Sequence, residues 1–154
     1  MRLRPATPDD GALLHTLVLE LATYERAPEA VEATPELFAA HLAAQPPPFS
    51  CVFAEIEGEV AGFTLFFPNY STWRGKPGIW IEELYVRPAF RGQGVARALV
   101  GEVARRAIAA GCGRIDFSVL DWNELAHGFY RRLGARPLGD WTQWRIEEAG
   151  FGVG

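Results

Sequence analysis

A short glycine-containing segment, Arg91-Gly92-Gln93-Gly94, lies between a strand-like stretch and a long helical pattern. The start of a helix presents unpaired backbone N–H groups and the positive end of the helix dipole. Because glycine lacks a Cβ atom, an anionic group can approach the main chain closely there. Arg91 and Arg97 stand at the same place and offer charge-assisted contacts. The segment is therefore typical of a cradle for a phosphate or pyrophosphate.

This segment fits neither of two common phosphate-binding motifs. No run of the Gly-x4-Gly-Lys-Ser/Thr type occurs in the 154 residues. The three glycines of a dinucleotide fingerprint are also missing at their required spacing. A glycine-rich turn that binds nothing is the alternative that the segment by itself leaves open.

Two adjacent acids, Glu82 and Glu83, stand in the strand-like run just before the glycine segment. A glutamate in mid-strand is either an outward-facing polar residue or a group placed for acid–base chemistry. Neighbouring side chains of a regular strand point to opposite faces, so both acids serve one site only if the strand has a β-bulge.

The three histidines do not group in the predicted layout, and we expect no metal site.

Patterns of strand and helix along the chain carry these residues. Thr7-Pro8-Asp9-Asp10 and Thr34-Pro35-Glu36 are typical helix starts. The predicted strands are Arg2 to Pro5, Ser50 to Ile56, Val60 to Phe67, Ile79 to Val86, Ile115 to Leu120 and Trp141 to Glu147, and the two later helices are Gly94 to Ala110 and Asn123 to Leu133. The order β-α-α-β-β-β-α-β-α-β predicts a layered sheet of the α/β or α+β class.

Size and composition set further bounds. A chain of 154 residues fits a single domain over 1–154, and its 49% of apolar residues allow a large core. A net charge of -4 argues against a nucleic-acid partner and suits cationic substrates. The longest apolar run, Val60 to Phe67, is too short to span a membrane, and no signal-like start is visible. We therefore expect a soluble cytoplasmic protein without a membrane partner.

Two blocks resemble the GNAT superfamily of acyl-CoA N-acetyltransferases. Arg91-Gly92-Gln93-Gly94-Val95-Ala96 matches its Arg/Gln-x-x-Gly-x-Gly/Ala signature. The block from Asn123 to Ala135 is similar to its late helix, Asn-x-x-Ala-x-x-Phe-Tyr-x-x-x-Gly. The order of elements agrees, so the resemblance covers essentially the whole chain. It implies a central mixed, mostly antiparallel sheet with helices on both faces and a splayed strand pair at the acetyl-CoA site.

The resemblance also implies acetyl-CoA as co-substrate, without a metal. In that family the loop and helix start bind the pyrophosphate of CoA. The implied cofactor-binding residues are Leu84, Tyr85, Val86, Arg91, Gly92, Gln93, Gly94, Val95, Ala96, Arg97, Asn123, Tyr130 and Arg132. Asn123 has the alternative role of a helix N-cap, and Arg132 that of a solvated helix charge.

Acetyl transfer to an amine requires a proton acceptor. An alkyl ammonium has a pKa near ~10.4, so only about one molecule in a thousand is neutral at pH 7. By the family likeness, Glu82 is the acceptor, directly or through ordered water. Tyr130 is the implied proton donor for the departing sulfur, and a backbone N–H of Tyr85 or a neighbour is the implied oxyanion donor.

A narrower likeness points to the diamine acetyltransferases that act on spermidine, spermine and thialysine. Glu83 stands where that group commonly has aspartate, and Ala96 replaces a glycine. The likeness implies a small cationic amine as substrate and a homodimer. The implied substrate-binding residues are Tyr24, Glu25, Trp73, Glu82, Glu83 and Trp141.

Two other functions stay open on the sequence. The first alternative is another GNAT enzyme that acts on an amino acid, an antibiotic or a protein amino terminus. The second alternative is a non-catalytic acyl-CoA-binding module. The presence of both Glu82 and Tyr130 favours an enzyme over a binding module. The acids of the implied amine site favour cationic acceptors over neutral or anionic ones.

Overall fold

The computed structural model of the chain describes residues 1–152. In chain order the strands are β1 (Arg2–Pro5), β2 (Ser50–Ile56), β3 (Glu59–Ser71), β4 (Lys76–Val86) and β5 (Ile115–Phe117), and the helices are α1 (Gly11–Tyr24), α2 (Pro35–Ala43), α3 (Val95–Ala109) and α4 (Glu124–Arg132). These elements form two compact units: Met1–Ser118 contains the sheet with α1 to α3, and the unit that begins at Val119 contains α4. Among the described residues, no helix combines the length and the apolar character needed to cross a membrane.

The sheet has the strand order β1-β2-β3-β4-β5. The first three neighbouring pairs are antiparallel, and β4 and β5 are parallel. β2 and β3 are joined by a tight hairpin in which Glu57 (φ 52°) and Gly58 (φ 84°) both have left-handed backbones, the geometry that suits the strand twist. The predicted mixed, mostly antiparallel sheet is confirmed.

β4 and β5 pair over a short stretch and then separate. Their register runs from Ile79 opposite Ile115 to Ile81 opposite Phe117. β4 continues to Val86, so within residues 1–118 its last part is paired on the β3 side alone. This is the predicted splayed strand pair, and it leaves one edge of β4 open in this unit.

Helices cover both faces of the sheet, as predicted. On one face α3 buries residues such as Leu99 and Val103 against β2, β3 and β4. On the opposite face α1 buries Leu14 and Leu17 against the other side of the same strands, with α2 packed beside it. Each fully buried leucine contributes roughly 1.5–3 kcal/mol of transfer free energy, so the two layers hold β4 firmly between them.

The predicted helix start at Thr34 is confirmed in detail. Its side chain accepts a hydrogen bond from the Leu37 N–H at 3.2 Å, and Pro35 occupies the first helical position. The start at Thr7 instead opens a short 3-10 turn, Pro8–Asp10, before α1 begins at Gly11. These caps act within three residues, which is why the local sequence predicts them.

Several predicted strands differ from the structure. β3 extends to Ser71 rather than to Phe67, and β4 begins at Lys76 rather than at Ile79. The strand predicted from Trp141 to Glu147 is wrong, because these residues adopt no regular strand, and Trp144 is 92% exposed. Their alternating pattern suits a strand, but a strand also needs a neighbour for its backbone hydrogen bonds, and residues 119–152 contain none. β5 ends at Phe117 rather than at Leu120, since its pairing with β4 ends there.

Candidate active site

β4 contains a β-bulge at Glu82. Leu65 of β3 pairs with Glu83, and the next residue of β3, Phe66, pairs with Ile81. Glu82 is therefore the extra residue of the ladder, without a partner on β3. A bulge of this kind re-aims side chains and increases the local twist.

The bulge places both acids on one face of the sheet. Ile81 packs in the cluster that includes α3, whereas Tyr85, an even number of residues later, packs in the cluster that includes α1. A regular strand would put both side chains on the same face. Before the bulge the even-numbered side chains face α1, and after it the odd-numbered ones do. Glu82 and Glu83 thus both emerge on the α1 face, so the bulge that a shared site requires is present.

A third carboxyl lies close to this pair. Glu25 occupies the C-cap of α1, where its N–H donates to the Leu21 carbonyl at 2.9 Å. Burial, followed by the negative charges of Glu25 and Glu82, raises the pKa of Glu83 from 4.5 to about 8. Burial also raises the pKa of Glu25. A half-buried carboxyl whose pKa is raised by neighbouring negative charges marks a place where a positive charge is stabilised.

The glycine segment opens α3 with two left-handed residues. Gly92 has φ 77° and Gly94, the N-cap of α3, has φ 79°. A Cβ built at either position meets no protein atom within 4 Å. The backbone conformation, rather than packing, therefore favours glycine, and the space in front of the segment is open to a ligand.

The segment presents a row of backbone donors. The Arg91 N–H donates to the Pro88 carbonyl at 3.2 Å, and the Ala98 N–H donates to the Gly94 carbonyl at 3.0 Å. Between them, the N–H groups of Gly92 to Arg97 have no acceptor within residues 1–118. A row of free donors at a helix start fits the pyrophosphate of CoA. Val95 contributes only its backbone, because its side chain is buried in the α3 cluster.

The Arg91 side chain connects the glycine segment to the ends of β4 and α1. Its Nε donates to the Val86 carbonyl at 3.1 Å, and its guanidinium lies 4.9 Å from the centre of the Tyr24 ring. Tyr24 is the last residue of α1, next to Glu25. Here Arg91 contacts the protein itself, while Arg97 is exposed on the first turn of α3. The Arg91 contacts hold the glycine segment, the end of β4 and the end of α1 together.

The open edge of β4 carries backbone donors of its own. The Arg87 N–H donates to Ala61 of β3 at 2.9 Å, so alternation directs the N–H groups of Leu84 and Val86 away from β3. The Val86 carbonyl, which accepts from Arg91, lies on that same outer edge. Leu84 and Val86, the neighbours of Tyr85, are therefore better placed than Tyr85 to offer an N–H to an oxyanion.

Trp73 is not brought to the acids within one chain. It lies in the turn before β4, with 87% of its surface exposed. Glu82 is six residues beyond Lys76, the first residue of β4, which corresponds to about 20 Å at the usual rise of a strand. The predicted role of Trp73 in amine binding stays a prediction.

The unit that begins at Val119 carries the late helix. The Asn123 side chain accepts from the Ala126 N–H at 3.2 Å, so this residue is the N-cap of α4. The Tyr130 ring packs against Phe129 with 5.1 Å between ring centroids. Arg132 in the last turn and Trp141 beyond the helix are both exposed. The roles of Tyr130, Arg132 and Trp141 in binding and catalysis stay predictions.

One residue that the sequence reasoning missed contacts the acids. The Trp80 indole Nε1–H donates to Oε2 of Glu82 at 2.8 Å. The two residues are two positions apart on a strand, a spacing that puts side chains on one face. That spacing was the only signal in the sequence, and a tryptophan in a strand has many other uses.

Comparison with known proteins identifies the family of the chain. The Acetyltransferase (GNAT) family description matches residues 14–135. Thialysine N-epsilon-acetyltransferase of Bos taurus is 35% identical over 150 residues, which cover 92% of this chain and 88% of the relative. L-ornithine N5-acetyltransferase of Arabidopsis thaliana is 40% identical over 87 residues, which cover 56% of this chain and 38% of the relative.

Solved structures share the fold. An integron cassette protein from the mobile metagenome of V. cholerae superposes with a TM-score of 0.78 at 22% identity, over 97% of this chain and 93% of that protein. A ribosomal-protein-alanine N-acetyltransferase from Brucella melitensis biovar Abortus gives a TM-score of 0.71 at 21% identity, over 96% and 99%. With the family match over most of the chain, these findings establish that the protein is an N-acetyltransferase of the GNAT family.

Proposed function

We propose that this enzyme acetylates a primary amine of a small molecule with more than one positive charge, such as thialysine, ornithine or a polyamine, using acetyl-CoA. The observation that carries the proposal is the three-carboxyl group of Glu25 at the end of α1 with Glu82 and Glu83 on β4, the strand that precedes the free donor row. Relatives named for thialysine and ornithine acetylation support the same substrate class.

Acetyl-CoA supplies the thioester-activated acetyl group. The free N–H groups from Gly92 to Arg97 would hold its pyrophosphate, and the exposed Arg97 adds a positive charge beside them. The open edge of β4, with the N–H groups of Leu84 and Val86, offers backbone partners to the rest of the molecule.

Glu82 takes the proton of the attacking amine. It is exposed, so a substrate or an ordered water reaches it, and it emerges beside Glu83 because of the bulge. A second positive group of the substrate would lie against Glu83 and Glu25, where it offsets the cost of ionising two half-buried carboxyls close together. An acceptor with a single charge would lose that compensation.

Two groups complete the proposed chemistry. The outward N–H of Leu84 or Val86 stabilises the oxygen that becomes negative during attack. The Tyr130 hydroxyl holds the proton that the departing sulfur needs. We further propose that the enzyme works in the cytoplasm. By the likeness to diamine acetyltransferases, we propose a homodimer with Trp73 and Trp141 at the amine site.

A thiol-release assay with acetyl-CoA tests the proposal against a panel of amines. Thialysine, ornithine, lysine, spermidine and spermine form one group, and tyramine and an amino-terminal peptide form the comparison group. We expect kcat/KM to be at least about ten-fold higher for the first group, since one lost charge–charge contact costs at least ~1.4 kcal/mol in such a site. Equal rates with both groups would remove the proposed substrate class.

Glu25→Gln separates recognition from chemistry in the same assay. We expect it to raise KM for the diamines and to leave kcat nearly unchanged, because Glu25 would contact the distant ammonium in ground state and transition state alike. Glu29→Gln, an exposed acid four residues further along, is the matched control.

A further inference from the structure

Trp80 and Glu82 form a specific side-chain pair on β4. The indole Nε1–H donates to Oε2 of Glu82 at 2.8 Å, on the α1 face of the sheet. An indole N–H is a donor only and cannot take up a proton. The contact therefore engages one carboxylate oxygen and leaves Oε1 for a substrate amine or a water.

Core packing does not account for Trp80. Its neighbours Ile79 and Ile81 fill the cluster that includes α3, because their side chains point to the opposite face. Within residues 1–118, Trp80 belongs to neither of the two buried apolar clusters and is only half-buried. A large aromatic ring stands here with a defined acceptor for its one polar atom.

We propose that Trp80 is a positioning residue, whose indole N–H holds the Glu82 carboxylate so that Oε1 faces the attacking amine. The proposal rests on the proposed role of Glu82 as proton acceptor. In that step an N–H bond of the ammonium breaks, an O–H bond forms at Oε1, and the lone pair left on nitrogen becomes available for attack.

The physical need for such a residue follows from the exposure of Glu82. An exposed glutamate samples several rotamers and loses side-chain entropy when it is held in one. A charge-assisted hydrogen bond from a half-buried ring confines it before the substrate arrives. Proton transfer requires the two groups to be within hydrogen-bonding distance. A carboxylate held in one rotamer therefore accepts the proton more often than one that changes rotamer freely.

A double-mutant cycle on the full chain distinguishes positioning from packing. Trp80→Phe keeps an aromatic ring and removes the N–H donor, and Glu82→Gln removes the proton acceptor. We expect Trp80→Phe to lower kcat roughly 10–100-fold in the native background, the usual size for a lost hydrogen bond to a charged group, with little change in KM. In the Glu82→Gln background the same change should lower kcat less than about two-fold, because Trp80 would act through that carboxylate.

Equal losses in both backgrounds would overturn the proposal, since a packing role does not depend on Glu82. Trp144→Phe, which alters a 92% exposed indole, is the matched control and should leave both parameters unchanged.

Nuclear magnetic resonance tests the contact without reference to turnover. The Trp80 indole N–H resonance, assigned in the native protein by through-bond NMR experiments, should shift in Glu82→Gln while the other indole resonances stay in place. An unchanged resonance would show that the contact is not formed and would overturn the proposal even if Trp80→Phe fails to fold. A shifted resonance in a protein that acetylates no amine would support the contact and count against the proposed function instead.

Discussion

Replacing Glu83 by glutamine should change how stability depends on pH. The Glu83 carboxyl has a pKa of about 8 in the folded protein against 4.5 ordinarily, because it is buried beside Glu25 and Glu82. The folded state therefore holds a proton that the unfolded chain releases between these two values. Stability from this group is complete below about pH 4.5 and is lost as the pH rises through about 8.

The size of the effect follows from the two pKa values. A difference of about 3.5 between 4.5 and about 8 corresponds to at most ~5 kcal/mol, at 1.36 kcal/mol for each factor of ten. Glu83 is only half-buried and water screens part of the effect, so a working figure is about 1–3 kcal/mol. Glu83→Gln lacks this titration. As the pH rises from 5 to 9, its free energy of unfolding should therefore increase by this amount relative to that of the native protein.

Urea denaturation at steps from pH 5 to pH 9 measures the difference. For a domain of this size the gain corresponds to a relative increase in Tm of roughly 3–10 °C at the alkaline end. Glu29→Gln, an exposed acid, is the control and should follow the native curve at every pH. If the Glu83→Gln curve also runs parallel to the native one, the burial and charge argument for Glu83 is refuted.

Three further changes test the cofactor segment, the proposed acid and a helix cap. Tyr130→Phe should lower kcat roughly 10²–10⁴-fold with unchanged CoA affinity, measured by steady-state kinetics and calorimetry, and unchanged turnover would remove Tyr130 from its role. Gly94→Val should weaken CoA binding at least about ten-fold in calorimetry, because φ 79° disfavours a branched side chain and the added atoms enter the space before the free donors. Gly101→Ala, in the middle of α3 with open space around its Cβ position, is the control and should bind CoA normally. Thr34→Ala should cost about 1 kcal/mol of unfolding free energy in urea, since the Leu37 N–H loses its cap, and an unchanged midpoint would contradict that contact.

The local sequence determined the features that depend on a few neighbouring residues. The cap at Thr34 and the start of α3 at Gly94 depend on residues within one helical turn, so residue types at fixed spacing suffice to predict them. Family likeness extended this to the mixed, mostly antiparallel sheet, the helices on both faces and the splayed strands, all of which the structure confirms.

The failed strand between Trp141 and Glu147 marks the limit of such reasoning. Its residues alternate as a strand requires, but strand formation depends on a partner that lies elsewhere in the chain or outside it. A local pattern indicates which structure a segment can form, but it does not show whether a second strand is available to pair with it.

Only the tertiary structure decided how the acids of the site work together. The bulge at Glu82 arises from the register between β3 and β4, and Leu65 and Phe66 set that register from more than fifteen residues away. Burial between β4 and α1 determines the raised pKa of Glu83, and the same packing brings Glu25 to it from α1. The sequence identified the carboxyls as candidates. Their shared face and their electrostatic interaction come from strand pairing and packing across the chain, because electrostatic energy depends on distance in space and on exclusion of water.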